Sequence, residues 1–210
     1  MRELVILVAD GTMKAVFDAF FGRQRWDLTL QCRAFDIWPQ EDIFYDPMER
    51  DGGVYRRAHE LLRPYLRTHR RALVVLDQQF GGERPAGEVG SEILSRLRQN
   101  GWEDRCEVVV IDPELEVWLL QDKSHVKRAV KFSGASIRAH LEEMGNWPGD
   151  AAKPLAPKEA LQALIRPHRA LKTKVVYSRI ARAVSVSGCE DPAFLSFSET
   201  IRRWFPPEVS

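Results

Sequence analysis

Leu4-Val5-Ile6-Leu7-Val8-Ala9, ending abruptly at Asp10-Gly11-Thr12, is the stretch from which the architecture can be read. An unbroken apolar run with no alternation is the pattern of a strand covered on both faces, as in a parallel sheet flanked by helices. Residues 13–21 follow with Val16, Phe17, Phe20 and Phe21 at helical spacing, and Thr12 stands where an N-cap is expected. The chain therefore opens strand, turn, helix.

The same unit recurs downstream. Residues 56–71 read as a helix with Leu61, Leu62 and Leu66 among six arginines, which Pro64 must kink or end. Ala72-Leu73-Val74-Val75-Leu76 is a second buried strand, running into the turn Asp77-Gln78-Gln79-Phe80-Gly81-Gly82. A helix over 88–99 places Ile93, Leu94 and Leu97 on one side, and Glu107-Val108-Val109-Val110-Ile111 is a third strand, closed by Asp112-Pro113. Residues 114–121 begin another helix, in which Leu115, Trp118 and Leu119 share a face, making Trp118 a core residue rather than a stacking platform. Strands alternating with helices imply βαβ units and an α/β fold with a mostly parallel sheet. Residues 26–53 are irregular and aromatic, with Trp38, Phe44 and Tyr45 beside Pro39 and Pro47, the composition of an active-site loop or an additional edge strand.

Beyond residue 122 no β-run follows, so the expected organisation is an α/β domain over 1–122 and a helical, basic C-terminal extension over 123–210 packed on it. Helices are expected over 126–144, 158–165 and 177–184, with a Gly/Pro-containing loop at 145–157. A terminal amphipathic helix over 192–205 carries Phe194, Phe197, Ile201, Trp204 and Phe205. The net charge of +1 hides an asymmetry: residues 123–182 hold thirteen Lys and Arg against four acids, whereas residues 1–122 hold sixteen basic and twenty-two acidic groups. A basic segment after an acidic one marks either polyanion contact or a set of solvated helix faces.

Several classes are set aside. No apolar run approaches the ~20 residues of a bilayer span, and Met1-Arg2-Glu3 leads into a strand rather than a signal peptide, so a cytoplasmic chain with no membrane partner is expected. Cys32, Cys106 and Cys189 are odd in number and widely spaced, which suggests neither a disulfide framework nor a zinc ribbon. P-loop, dinucleotide and nucleophile-elbow motifs are missing, and His59, His69, His125, His140 and His168 read as surface or helix-face residues.

In open parallel sheets, ligands collect at the carboxyl ends of the strands, where Asp10, Asp77 and Asp112 stand. Carboxylates converging there suit a divalent cation, because Mg²⁺ and Mn²⁺ prefer oxygen ligands and keep positions open for phosphate oxygens. Asp10 and Asp77 are the first two candidates. For the third, Glu116 or Glu114 is preferred over Asp112, which reads as the cap of a following helix.

These segments, in this order, resemble a known group. Residues 4–12 followed by an amphipathic helix look like the opening of the Toprim fold, where a strand ends in Glu-Gly. Leu73-Val74-Val75-Leu76-Asp77 resembles the Toprim strand that carries an Asp-x-Asp metal motif. Asp112-Pro113-Glu114-Leu115-Glu116-Val117-Trp118-Leu119-Leu120 is similar to the Glu-x-Trp-Leu-Leu signature of the RloB-like proteins encoded beside bacterial anti-phage and restriction systems. Pro157-Lys158-Glu159-Ala160-Leu161, Tyr177-Ser178-Arg179-Ile180-Ala181 and residues 189–197 resemble the helical tail of the same group. The resemblance implies a Mg or Mn site held by Asp77 and Glu116, with Glu114 a further candidate and Asp10 either general acid/base or ligand. It also implies nucleic acid held by Lys158 and Lys174, with Lys172 and Arg169 beside them, and a protein partner in a defence complex.

Two departures bear on catalysis: the family glutamate is replaced by the shorter Asp10, and the second aspartate of Asp-x-Asp by the uncharged Gln79. Either Glu83 or Glu88 compensates, or catalysis is lost. The expected function is accordingly a Toprim-like metal-dependent nuclease or nuclease-like subunit, the alternative a catalytically degenerate scaffold for a defence partner. A third reading is a small nucleotide- or RNA-binding regulator, and Trp26, Trp38 and Trp147, in expected loops, are candidates to stack a base or dock a partner.

Overall fold

The computed structural model describes residues 1–48, 50–82, 84–168, 173–184 and 189–208. Four strands, β1 (Arg2–Val8), β2 (Ile43–Phe44), β3 (His69–Asp77) and β4 (Cys106–Ile111), form one sheet in the order β2-β1-β3-β4. All three pairings are parallel, with Val5 opposite Ala72, Leu7 opposite Val74 and Val75 opposite Val109. Leu4 to Val8 and Ala72 to Leu76 are wholly shielded from solvent, which is why both runs lack polar alternation. The α/β expectation holds, and the irregular 26–53 region does contain an edge strand, β2.

Eleven helices surround the sheet among the described residues: α1 (Gly11–Phe21), α2 (Trp26–Leu30), α3 (Pro39–Asp42), α4 (Asp51–Leu61), α5 (Ala86–Leu97), α6 (Glu116–Leu119), α7 (Ser124–Val130), α8 (Ile137–Glu143), α9 (Pro157–Ile165), α10 (Thr173–Ala183) and α11 (Pro192–Trp204). α5 and α11 pack on β4, α4 on β3, and α10 on α1. The C-terminal helices thus share the core of the α/β part: Trp118 meets Phe17, Phe194 and Phe197, the last two from α11. No helix among the described residues is long and apolar enough to cross a membrane.

Several local expectations are corrected. The cap of α1 is Asp10, not Thr12: its Oδ1 accepts from Thr12 N at 2.7 Å and Met13 N at 2.8 Å. Asp112 caps nothing; it is exposed, and the N-cap position of the short α6 is Leu115, with no side-chain bond. The 56–71 helix starts earlier, at Asp51, and ends at Leu61 before Pro64, so that Arg70 and Arg71 belong to β3. The 126–144 helix is two, α7 and α8, separated where Lys131 adopts φ 57°. His69 is no surface residue: it is buried at the start of β3, with Nε2 3.1 Å from Asp42 Oδ1 and Nδ1 2.9 Å from Thr68 Oγ1. Of the three tryptophans expected in loops, Trp147 is buried, Trp26 packs on Phe21 and Phe35, and Trp38 is 61% exposed.

Candidate functional site

The strand order sets the site. From β1 the chain crosses first to β2 on one side and then to β3 on the other, so the topological switch point lies between β1 and β3, where α/β sheets open a crevice. Asp10 stands two residues past the end of β1 and Asp77 closes β3. Together with Glu116 at the start of α6, Lys158 and Gln162 of α9, and Thr173 and Tyr177 of α10, they line a cleft of about 80 Å³. That is room for a few waters or the oxygens of one phosphate group.

Each acid in this neighbourhood has one carboxylate oxygen fixed by a protein donor. Asp10 Oδ1 is held by the first amides of α1, as above. Asp77 Oδ1 accepts from Leu115 N at 2.9 Å, and Asp51 Oδ1 from Asp77 N at 2.8 Å. Glu116 Oε1 accepts from the buried Tyr177 hydroxyl at 2.7 Å, and Glu114 Oε1 from Lys158 N at 2.8 Å. Asp51 and Glu116 each also bond with their own amide, and both feel the charges of Asp10 and Lys158. The carboxylates are therefore oriented by the fold.

Crowding and burial make Asp77, Asp51, Glu114 and Glu116 reluctant to ionise. Burial first, then the charges of Asp51 and Glu116, push the Asp77 carboxyl up to about 9, against one opposing bond from Leu115 N. Burial likewise raises Asp51, Glu114 and Glu116, and the Lys158 ammonium opposes the rise at all three. The Tyr177 hydroxyl, buried beside Glu116, is held well above its usual range and so stays a donor.

The expected residues sort as follows. Asp10, Asp77, Glu116 and Lys158 share the cleft. Lys174 comes close: a Cβ built on Gly11 would lie 2.9 Å from its Nζ and 3.1 Å from the Tyr45 hydroxyl, so glycine is what lets both approach the start of α1. Glu114 is adjacent, but its carboxylate is occupied with the first turn of α9, whose N-cap residue Ala156 has no side-chain bond to offer. Gln79 is exposed and does not line the cleft, and Glu88 lies outside it, bonded to Arg84. Glu83, Arg169 and Lys172 fall outside the described residues. Lys153 is committed to the buried Asp191.

No family model, curated protein or solved structure matches the chain. The site is read from its own chemistry. The residue missed in the sequence is Asp51, whose carboxylate is nearest in influence to Asp77. Asp51 lies in the 26–53 stretch that reads only as irregular and aromatic, and an acid before two glycines is the one signal there.

An all-oxygen donor set suits Mg²⁺ or Mn²⁺ in kind. Its spacing is not that of a closed cage: among the described residues no three His, Cys, Asp or Glu side chains form a group able to hold an ion. A Mg²⁺ bound there would have to take one or two of these carboxylates and complete its shell with water and substrate phosphate.

Proposed function

We propose that the cleft between the ends of β1 and β3 binds a phosphate group of a nucleic acid with Mg²⁺ or Mn²⁺, and that the chain is a Toprim-like nuclease or nuclease-like subunit of the RloB-like kind, working in bacterial defence. The observation that carries this reading is the meeting of Asp10, Asp77, Glu116 and Lys158, from four separate segments, in one phosphate-sized cleft at the switch point. Asp77 and Glu116 would hold the ion, which when bound neutralises charge on the phosphate and activates water. Tyr177 keeps Glu116 oriented. Lys158 and Lys174 face phosphate oxygens, the sequence-independent part of nucleic-acid affinity. Asp10, with one oxygen fixed by α1, is the group left to take or give a proton.

The catalytically degenerate scaffold is the second reading. It is favoured by Gln79 lying exposed outside the cleft, and by the commitment of half the Asp10 carboxylate to a helix cap.

Incubating wild type and Asp77→Ala with single- and double-stranded DNA and RNA in Mg²⁺ or Mn²⁺ separates the two. Cleavage by the wild type that falls to background in the variant is the expected result. Equal cleavage by both sinks the nuclease assignment, and stable capture of a defence partner without cation binding favours the scaffold.

A further inference from the structure

The free edge of β4 lies far from the chemistry above. In a parallel ladder the amide and carbonyl of one residue point to the same side. Ala72 N donates to Arg105 O at 2.9 Å and Gln78 N to Ile111 O at 2.8 Å, so the odd-numbered residues of β4 face β3. Cys106, Val108 and Val110 therefore turn their backbone groups outward, and no strand among the described residues pairs with that side. Among the described residues Val108 N reaches only the Oε1 of its neighbour Glu107, at a long 3.4 Å, while Arg203 holds Glu107 Oε2 at 2.8 Å.

This edge forms the floor of a groove of about 330 Å³ between α5 and α11, walled by small residues that include Gly87, Gly90, Ser91, Ala193 and Ser196. The two glycines are a separate observation. Glycine within a helix is less favourable than alanine, and is kept where something must approach closely. Nothing among the described residues makes that demand: a Cβ on Gly87 would meet no atom within 4 Å, and one on Gly90 would make an ordinary contact at 3.5 Å with Val110.

We propose that the β4 edge is a docking groove for an extended segment of a partner protein, which joins the sheet as a fifth strand. An extended backbone is the occupant because the floor offers alternating amides and carbonyls. A second copy fits less well, because its own β4 lies at the floor of the same groove between α5 and α11 and would have to reach the ~4.8 Å of a ladder past four helices. The small, mostly uncharged walls select a segment that is uncharged toward the groove. The outward carbonyls require free amides opposite them, so proline is excluded there.

The test pans a phage-displayed library of random dodecapeptides against the full chain and maps selected peptides by amide hydrogen exchange. Expected are peptides that slow exchange at Val108 and Val110 at least tenfold and bind at least tenfold more weakly to Gly90→Leu. Leucine is the better helix former, so Gly90→Leu should melt no lower than wild type, and Gly87→Leu provides a second block. A library yielding no peptide that protects these amides, or peptides indifferent to both variants, overturns the proposal. So does wild-type self-association abolished by Gly90→Leu, which would give the edge to a second copy.

Discussion

Trp118→Ala should lower the stability of the protein by about 4 kcal/mol, the cost of deleting a large buried aromatic side chain. For a chain of this size that is a drop of roughly 8–16 °C in Tm. The indole sits where three parts of the chain meet, with centroids 6.4 Å from Phe17, 5.3 Å from Phe194 and 6.0 Å from Phe197. Its Nε1 also donates to the buried Asp191 at 2.8 Å, so truncation removes one of the donors on a carboxylate with little access to water. Trp118→Phe separates the two contributions: it keeps most of the packing and loses the bond, and should cost about 1.5–3 kcal/mol. Thermal unfolding of both variants checks this, and a Trp118→Ala shift under about 2 °C would mean that α11 is not docked as described.

Asp77→Asn should have the opposite sign. The Asp77 carboxyl titrates near 9 in the folded chain because burial, then Asp51 and Glu116, penalise its charge, whereas it ionises near 4 when unfolded. Between those values the folded state holds a proton that the unfolded state has released, so this group's contribution to stability falls as pH rises from about 4 to 9. Asparagine keeps an oxygen for Leu115 N and removes the titration. The metal-free variant should therefore be more stable than wild type by on the order of 2 kcal/mol near pH 8, roughly 4–8 °C in Tm, and by little at pH 4. Parallel melting curves across pH would contradict this account. A stabilising loss of a polar group is the signature of a residue kept for function rather than for folding.

The sheet was legible where unbroken apolar runs mark strands covered on both faces, as in 4–9, 72–76 and 108–111. β2 was only an alternative within an irregular region, because two residues pairing with Ile6 and Leu7 leave no periodic trace. The left-handed Lys131 splits one expected helix in two, whereas the break expected at Pro64 does end another, at Leu61. That Asp10 and Asp77 line the cleft was legible from their strand-end positions. Tyr177 as the donor to Glu116 was not, since it lies 61 residues away and depends on α10 packing against α1. Asp51 was hidden for a similar reason: its link to Asp77 is a side chain to backbone bond across 26 residues, which no local pattern encodes.

Titration of the metal-free wild type with Mn²⁺ by calorimetry, near pH 8 and beside Asp77→Ala, tests the site most directly. Asp77 and its raised neighbours must lose protons to bind a cation, so binding should release protons and tighten as pH rises toward 9. Saturable binding with proton release in the wild type, absent from Asp77→Ala, is the expected result. Wild-type binding unchanged in Asp77→Ala would place the cation elsewhere, and no binding by either protein, with or without a short oligonucleotide, would contradict a cation-holding cleft.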